Sequence, residues 1–409
     1  MTRSRYISLI LILGSLTALS PFSIDMYLPG FPAIAKDLST SVATVSLSLS
    51  GFFIGISAGQ LIYGPLLDRF GRKRPLYFGL ALYILASIVV VFTHTISGLI
   101  LLRFIQALGS CAATVTAVAL VRDLFPVNDN AKVFALLILV LGASPMIAPT
   151  IGGYITSAFG WHAVFIVLTI LCILIFVSCI FWLPDGYKPD LSLSLKPAPI
   201  IRSFWSVFTT PQFYTYCFTG GIAFTGLFAY VSGSPVVFMD VYGVGQKTYG
   251  WIFAFLSIGF IGSSQLNNIL LKKFRSGQII QTVLICYAVL SALFLFASGM
   301  GWLTLPVLIA FLFLLLSCIG IVNPNTASLT LAPFAKNAGT ASALMGAIQM
   351  GLGSLISIFI SMFSKPSTLP LAISMAASAI LSLAILKIGR RKIEQQIISQ
   401  RDGQLIIGH

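Results

Sequence analysis

Charge is scarce in this chain. Ten Asp and Glu and 24 Lys and Arg in 409 residues leave charged residues at 8% of the whole, where a soluble domain carries about a quarter. That excludes a water-soluble fold, and with 57% of residues hydrophobic the chain belongs in a bilayer. Three histidines and ten scattered acids give no cluster of catalytic groups at an aqueous face, which argues against a membrane enzyme. The six cysteines, Cys111, Cys172, Cys179, Cys217, Cys286 and Cys318, fall in apolar runs with neither paired nor metal-ligand spacing, so no disulfide framework and no metal are expected. The chain has no Gly-x-x-x-x-Gly-Lys-Ser/Thr loop and no cytoplasmic segment large enough to bind and hydrolyse ATP. A small-residue cleavage site before Asp25 is also missing, so the apolar run after Arg5 reads as a retained first helix rather than a signal peptide.

Apolar length is what the chain has in abundance. Runs between polar punctuation give twelve expected spans, near 6–28, 42–63, 75–93, 96–121, 132–157, 162–183, 211–236, 248–271, 278–298, 304–332, 340–362 and 369–388. The fold class is therefore an all-α integral membrane protein of 12 transmembrane helices, and an even count puts both termini on one side. The net charge of +14 raises the question of a nucleic-acid partner, but the cations form no patch. Lys36, Lys247 and Lys365 fall in outer loops and Arg103 lies within a span, while the rest gather in the segments of one face. By the positive-inside rule that face, with both termini, is cytoplasmic. No nucleic acid is expected, and membrane lipid is the surrounding partner.

Between spans 6 and 7 the chain runs from Pro184 to Pro199 through its longest polar, proline-rich segment. This divides it into a bundle over 1–183, a linker over 184–210, a second bundle over 211–388 and a tail over 389–409, with Arg390–His409 read as disordered or surface-bound. An internal echo supports duplication: Leu66-Leu67-Asp68-Arg69-Phe70 answers Leu270-Leu271-Lys272-Lys273-Phe274, each at the end of its half's second span.

Residues 64 to 75 form a dense basic turn, Gly64-Pro-Leu-Leu-Asp68-Arg69-Phe-Gly71-Arg72-Lys73-Arg74-Pro75. Gly71 permits the tight reversal between antiparallel helices. The turn resembles the signature loop of the major facilitator superfamily at every defining position. Span 5, with Gly142, Pro145, Ala148, Pro149, Gly152 and Gly153, resembles the helix-5 antiporter motif of drug-exporting facilitators, with Ala148 where glycine is usual. Asp25-Met26-Tyr27-Leu28-Pro29 in span 1, Val121-Arg122-Asp123, Gly160-Trp161-His162 and Ala338-Gly339-Thr340-Ala341-Ser342 are similar to the bicyclomycin-resistance branch of the twelve-helix drug:proton antiporters, with Gly30 in place of an alanine. The resemblance implies two pseudo-symmetric six-helix bundles around a midplane cavity. It also implies alternating access by rocking of the halves, and proton-coupled efflux of small amphiphilic antibiotics or metabolites across a bacterial inner membrane. The alternative on the same fold is a proton-coupled symporter for a specific metabolite, such as an amino acid or a siderophore.

Among the ten acids only Asp25 falls within the hydrocarbon, and only one cation, Arg103, is similarly embedded. Such residues are costly enough to be functional by default. If helix 1 continues past Pro29, both lie roughly 10 Å below the outer surface and face each other. Burial and a nearby guanidinium pull a carboxyl's proton affinity in opposite directions, so Asp25 and Arg103 are the expected proton-coupling pair. The alternative is a static ion pair that orients two helices. The proton is the coupling ion and no cofactor is expected.

For a substrate cavity the candidates are Tyr27 and Gln106 in the first half, Phe224, Phe228 and Tyr230 in span 7, Asn267 and Asn268 in span 8, Asn323 and Asn325 in span 10, and Gln349 in span 11. Aromatic walls with a few adaptable polar groups suit amphiphilic ligands. The alternative for the aromatics is packing or lipid contact, while Pro324 frees backbone that its flanking amides can satisfy or offer to substrate. Gly64, Asp68, Arg69, Gly71, Arg72, Arg122 and Asp123 at the cytoplasmic rim are assigned to gating, where Asp68 can pair with a cation or a helix N-terminus. His94 and His162 read as loop or interface residues. One chain holding both halves is expected to work as a monomer.

Overall fold

The computed structural model describes residues 3–184, 189, 196–334, 337–363 and 365–407. Among them every regular element is helical, and twelve helices are long and apolar enough to cross a membrane. Spans 1 to 6 are Arg5–Asp37, Val42–Phe70, Lys73–Val91, Ile96–Leu124, Lys132–Phe159 and Trp161–Trp182. Spans 7 to 12 are Pro211–Val241, Gln246–Leu270, Ser276–Gly299, Leu305–Leu331, Ala338–Ser361 and Leu369–Arg391. Continuous helix is what such sequences must form in lipid, where each backbone group has to be satisfied within its own segment.

Span 1 departs from this pattern. Its first helix, Arg3–Asp25, ends at the embedded acid; a short 3-10 turn, Leu28–Gly30, follows, and a second helix, Phe31–Asp37, completes the crossing. The prolines explain the break. Pro29 has no N–H to give the Asp25 carbonyl and Pro32 none to give that of Leu28, so two rungs of the ladder are lost within one turn. The exposed backbone is sheltered instead, since Met26 to Phe31 are all buried.

The linker holds an element the sequence reading lacked, a short helix over Pro197–Phe208 beside spans 7 and 11. Residues 185–188 and 190–195 of the expected polar linker lie outside the described residues. The last helix runs Leu369–Ile407, through the stretch where a disordered or surface-bound tail was expected; His409 lies outside the described residues.

Packing repeats at an offset of six. Span 1 packs on spans 4, 5 and 6, and span 7 on spans 10, 11 and 12; spans 2 and 4 pack as spans 8 and 10 do, and spans 3 and 6 as spans 9 and 12 do. The first six and the last six spans meet along two seams, span 2 against span 11 and span 5 against span 8.

Candidate transport site

Asp25 and Arg103 are both buried, at 5% and 0% exposure, but they are not an ion pair. Arg103 Nη1 donates to Gln106 Oε1 at 2.5 Å and Nη2 to the Ser23 carbonyl at 2.7 Å. Its guanidinium lies 4.2 Å from the ring centroids of both Tyr27 and Phe52. Gln106 Nε2 in turn donates to Ser87 Oγ at 2.6 Å, and the Ser23 and Tyr83 hydroxyls bond at 2.6 Å. The planar cation is held between two aromatic faces with both terminal nitrogens bonded, with the Phe165 ring of span 6 also 5.7 Å away, so its surroundings come from the first six spans. The expected Asp25–Arg103 contact fails because Arg103 engages the face of span 1 that carries Ser23 and Tyr27, four residues apart, whereas Asp25, two residues from Ser23, lies about 200° around the helix.

Asp25 faces the other way. Its carboxyl forms no hydrogen bond or ion pair among the described residues, and within its electrostatic reach stand Tyr27, Tyr230 of span 7 and Tyr249 of span 8. Tyr249 bonds Ser234 Oγ at 2.8 Å, whereas the buried Tyr230 hydroxyl has no partner. The second helix of span 1 is fixed at its far end, where Trp161 Nε1 donates to Asp37 Oδ2 at 3.0 Å and His162 Nε2 lies 3.7 Å from the same atom. His162 is thus an interface residue.

The glycines and prolines of span 5 build its seam with span 8. A Cβ on Gly152 would collide with the Met26 carbonyl at the break in span 1, and one on Gly153 would lie 2.6 Å from the Gln246 carbonyl of span 8. In the other direction, a Cβ on Gly250 would lie 2.8 Å from the Pro149 carbonyl. Pro149 cannot donate to the Pro145 carbonyl four residues back; Ser257 Oγ of span 8 donates to it across the seam at 3.4 Å. Thr150 Oγ1 donates to the Gly250 carbonyl at 3.2 Å, and Gly142 approaches Ile261, with a Cβ there 3.3 Å away. Span 5 remains one helix, Val127–Phe159, through both prolines.

On the other seam, Ser46 Oγ donates to the Ser232 carbonyl at 3.0 Å, Ser357 Oγ to the Ser46 carbonyl at 3.2 Å and Ser57 Oγ to the Ala347 carbonyl at 2.8 Å. Phe53 meets Phe228 at 4.7 Å between centroids. Between described residues, the hydrogen bonds joining the halves lie from mid-span to the end carrying Asp37 and Gln246.

The cavity candidates separate by burial. Tyr27 and Gln106 are closed into the Arg103 shell. Phe228 and Tyr230 are buried in the seam, Tyr230 against Phe253 at 5.0 Å. Asn325 Nδ2 donates to Asn267 Oδ1 at 2.6 Å and to the Ile321 carbonyl at 2.8 Å, so these two buried amides clamp spans 8 and 10 rather than face a ligand. Asn268 is exposed and shares a 3.5 Å bond with Gln265. Phe224, Asn323 and Gln349 are half-buried, with Gln349 Nε2 donating to Asn323 Oδ1 at 3.4 Å. These three keep surface free for a ligand.

At the basic turn, Gly71 has φ +79°, the left-handed region that favours glycine. Arg72 Nη1 bonds Asp68 Oδ1 at 2.9 Å, and its Nε bonds Asp123 Oδ2 at 2.7 Å, tying the turn to the end of span 4. Burial works against this charge, but the two carboxylates outweigh it and hold the Arg72 pKa above the usual arginine value. Arg122 is exposed, Arg69 lies at the same end beside Phe70, and a Cβ on Gly64 would meet open space.

The family model described as Major Facilitator Superfamily matches residues 13–358. The chain belongs to that superfamily. Within it, the bicyclomycin resistance protein homolog of Haemophilus influenzae is 31% identical over 383 residues, covering 91% of this chain and 94% of that protein. An uncharacterized MFS-type transporter of Bacillus subtilis is 31% identical over 401 residues, covering 96% and 98%. Among solved structures, a D-xylose-proton symporter shares the major facilitator fold with a TM-score of 0.72 at 14% identity, covering 92% of this chain and 97% of that one. The basic turn is thus the superfamily's signature loop, with Arg72 rather than Asp68 at the centre of its charges. The seam residues Phe53, Ser57, Tyr249, Phe253 and Ser257 are what the sequence reading missed. Small and aromatic residues are abundant in every span, and nothing in their local spacing marks the few that meet across two halves.

Proposed function

We propose that this chain exports small amphiphilic antibiotics or related metabolites from the bacterial cytoplasm in exchange for protons. The observation that carries the reading is Asp25, an embedded acid at a break in span 1, buried against the seam that alternating access must open. The relative named for bicyclomycin resistance supports the substrate class. With both termini cytoplasmic, the closed end is the periplasmic one and the conformation is inward-facing.

Asp25 takes its proton from the outside when the periplasmic seam parts. Closing the seam strips water from the carboxyl without supplying a cation, and the neutral acid is the form that such a site accommodates at lowest cost. Substrate enters from the cytoplasm past Phe224, Asn323 and Gln349, the proton leaves inward, and the halves rock back with the substrate. Arg103 keeps its charge throughout and holds the broken end of span 1 through the Ser23 carbonyl. The signature loop, through Arg72, Asp68 and Asp123, keeps spans 2, 3 and 4 moving as one body at the cytoplasmic rim. The proton is the coupling ion and a single inner-membrane chain is the working unit. One proton moving down about 100 mV and one pH unit supplies roughly 3.7 kcal/mol, enough to exclude a neutral drug several-hundred-fold.

Drug efflux by Asp25→Asn tests the reading. Loss of proton-coupled efflux with normal folding and membrane insertion is expected; undiminished coupled transport removes Asp25 from the mechanism.

A further inference from the structure

The Tyr230 hydroxyl of span 7, 1% exposed, is buried without a hydrogen-bond partner, and the Asp25 carboxyl of span 1, 5% exposed, makes no hydrogen bond or ion pair among the described residues. Buried polar groups are nearly always paired, so two such groups within electrostatic reach of each other call for an explanation. The other ionisable groups around Asp25 are committed elsewhere. Tyr27, on its own span, is committed to Ser48 at 3.0 Å and to the face of Arg103. Arg103 of span 4 is committed to Gln106 and the Ser23 carbonyl, and Tyr83 of span 3 to Ser23. Tyr249 of span 8 is committed to Ser234. From spans 5 and 6 the ionisable groups are Tyr154, under Lys247 at 5.3 Å, and His162, both at the periplasmic end.

We propose that Tyr230 is a positioning residue for proton release: when Asp25 gives up its proton to water from the cytoplasmic side, the Tyr230 phenol donates a hydrogen bond to the carboxylate across the seam. The phenol keeps its own proton throughout. The proton that moves is the one on the Asp25 carboxyl, and it passes to water. The bond forms only in the deprotonated, periplasm-closed state, because parting the seam carries span 7 away from span 1. Tyr230 thereby makes release possible inside and leaves uptake outside unaided. A carboxylate stripped of water and cation would otherwise hold its proton against the cytoplasmic pH. The inference rests on Asp25 being the coupling acid.

Tyr230→Phe isolates the hydroxyl, since the ring keeps its packing on Phe253, 5.0 Å away. Transport of a bicyclomycin-type or amphenicol substrate is followed in vesicles while the pH of the cytoplasmic face is varied. The expected result is an acid limb shifted upward by about one pH unit, a tenfold change in proton concentration. Tyr249→Phe is the control: it is equally buried and close to Asp25, but its hydroxyl is already satisfied by Ser234, so its profile stays on that of the parent. Asp25→Asn separates the two readings. If it stays proton-coupled, the function proposed above falls. If it loses coupling while Tyr230→Phe keeps the parent's profile, only the role of Tyr230 is overturned. Equal shifts in Tyr230→Phe and Tyr249→Phe also overturn it, since they report a packing effect without a specific bond.

Discussion

Arg103 is fully buried between the Tyr27 and Phe52 rings with both terminal nitrogens bonded. Lysine keeps the charge but has neither the planar face nor the fork, so Arg103→Lys is expected to cost about 2 kcal/mol of stability. Thermal unfolding of the purified protein in detergent checks this; a Tm equal to the parent's contradicts the shell. As the two charges embedded in the spans, Asp25 and Arg103 stood out in the sequence from composition alone. Their partners did not. Which way a side chain turns depends on how its helix is rotated against its neighbours, and that rotation is set by packing between spans, which the sequence of one span does not carry.

The helix-5 motif shows its physical purpose at the scale of the element. Gly152 lets the break in span 1 approach, Gly153 lets span 8 approach, and Pro149 frees a carbonyl that Ser257 binds. A side chain at 153 therefore obstructs closure of the seam at the end carrying Gln246 while leaving the packing inside each half alone. Gly153→Leu is expected to fold, to lose most of its transport and to rest outward-open. Spin labels at the exposed Phe159 and Trp302, 78% and 66% accessible on opposite halves, on a cysteine-free background, report the change as a longer distance between them. An unaltered distance distribution would contradict a seam that closes on Gly153. The spacing of glycine and proline announced a special helix in the sequence. It left open that the partner was span 8, because close approach is a property of two surfaces and only one of them carried the recognised pattern. The linker helix, Pro197–Phe208, escaped notice because three prolines between 189 and 199 read locally as punctuation, although two of them fall in its first turn, where proline is tolerated.

For the whole molecule, the twelve spans were legible because the hydrocarbon's thickness sets a length that few other constraints can imitate. The duplication was fainter: one five-residue echo in the sequence became a packing scheme repeated at an offset of six. Shape was kept where residues drifted, as packing requires only volume and closeness at each site. Burial then sorted the cavity candidates, leaving Phe224, Asn323 and Gln349 with accessible surface and assigning Asn267 and Asn325 to each other. Gln349→Ala is accordingly expected to raise KM severalfold for some substrates with maximal rate retained, whereas Asn267→Ala leaves the Asn325 amide buried without that partner and lowers stability by about 1–3 kcal/mol. Kinetics on a substrate panel, together with unfolding curves, distinguish the two. The central claim is exchange of substrate for protons, and proton movement measures it most directly. Inverted vesicles containing the protein are acidified inside and offered amphenicol, bicyclomycin-like, sulfonamide and cationic compounds while lumenal pH is followed. The account predicts substrate-induced alkalinisation that disappears in Asp25→Asn. Silence across the panel, with energised uptake of a metabolite into right-side-out cells, would contradict it.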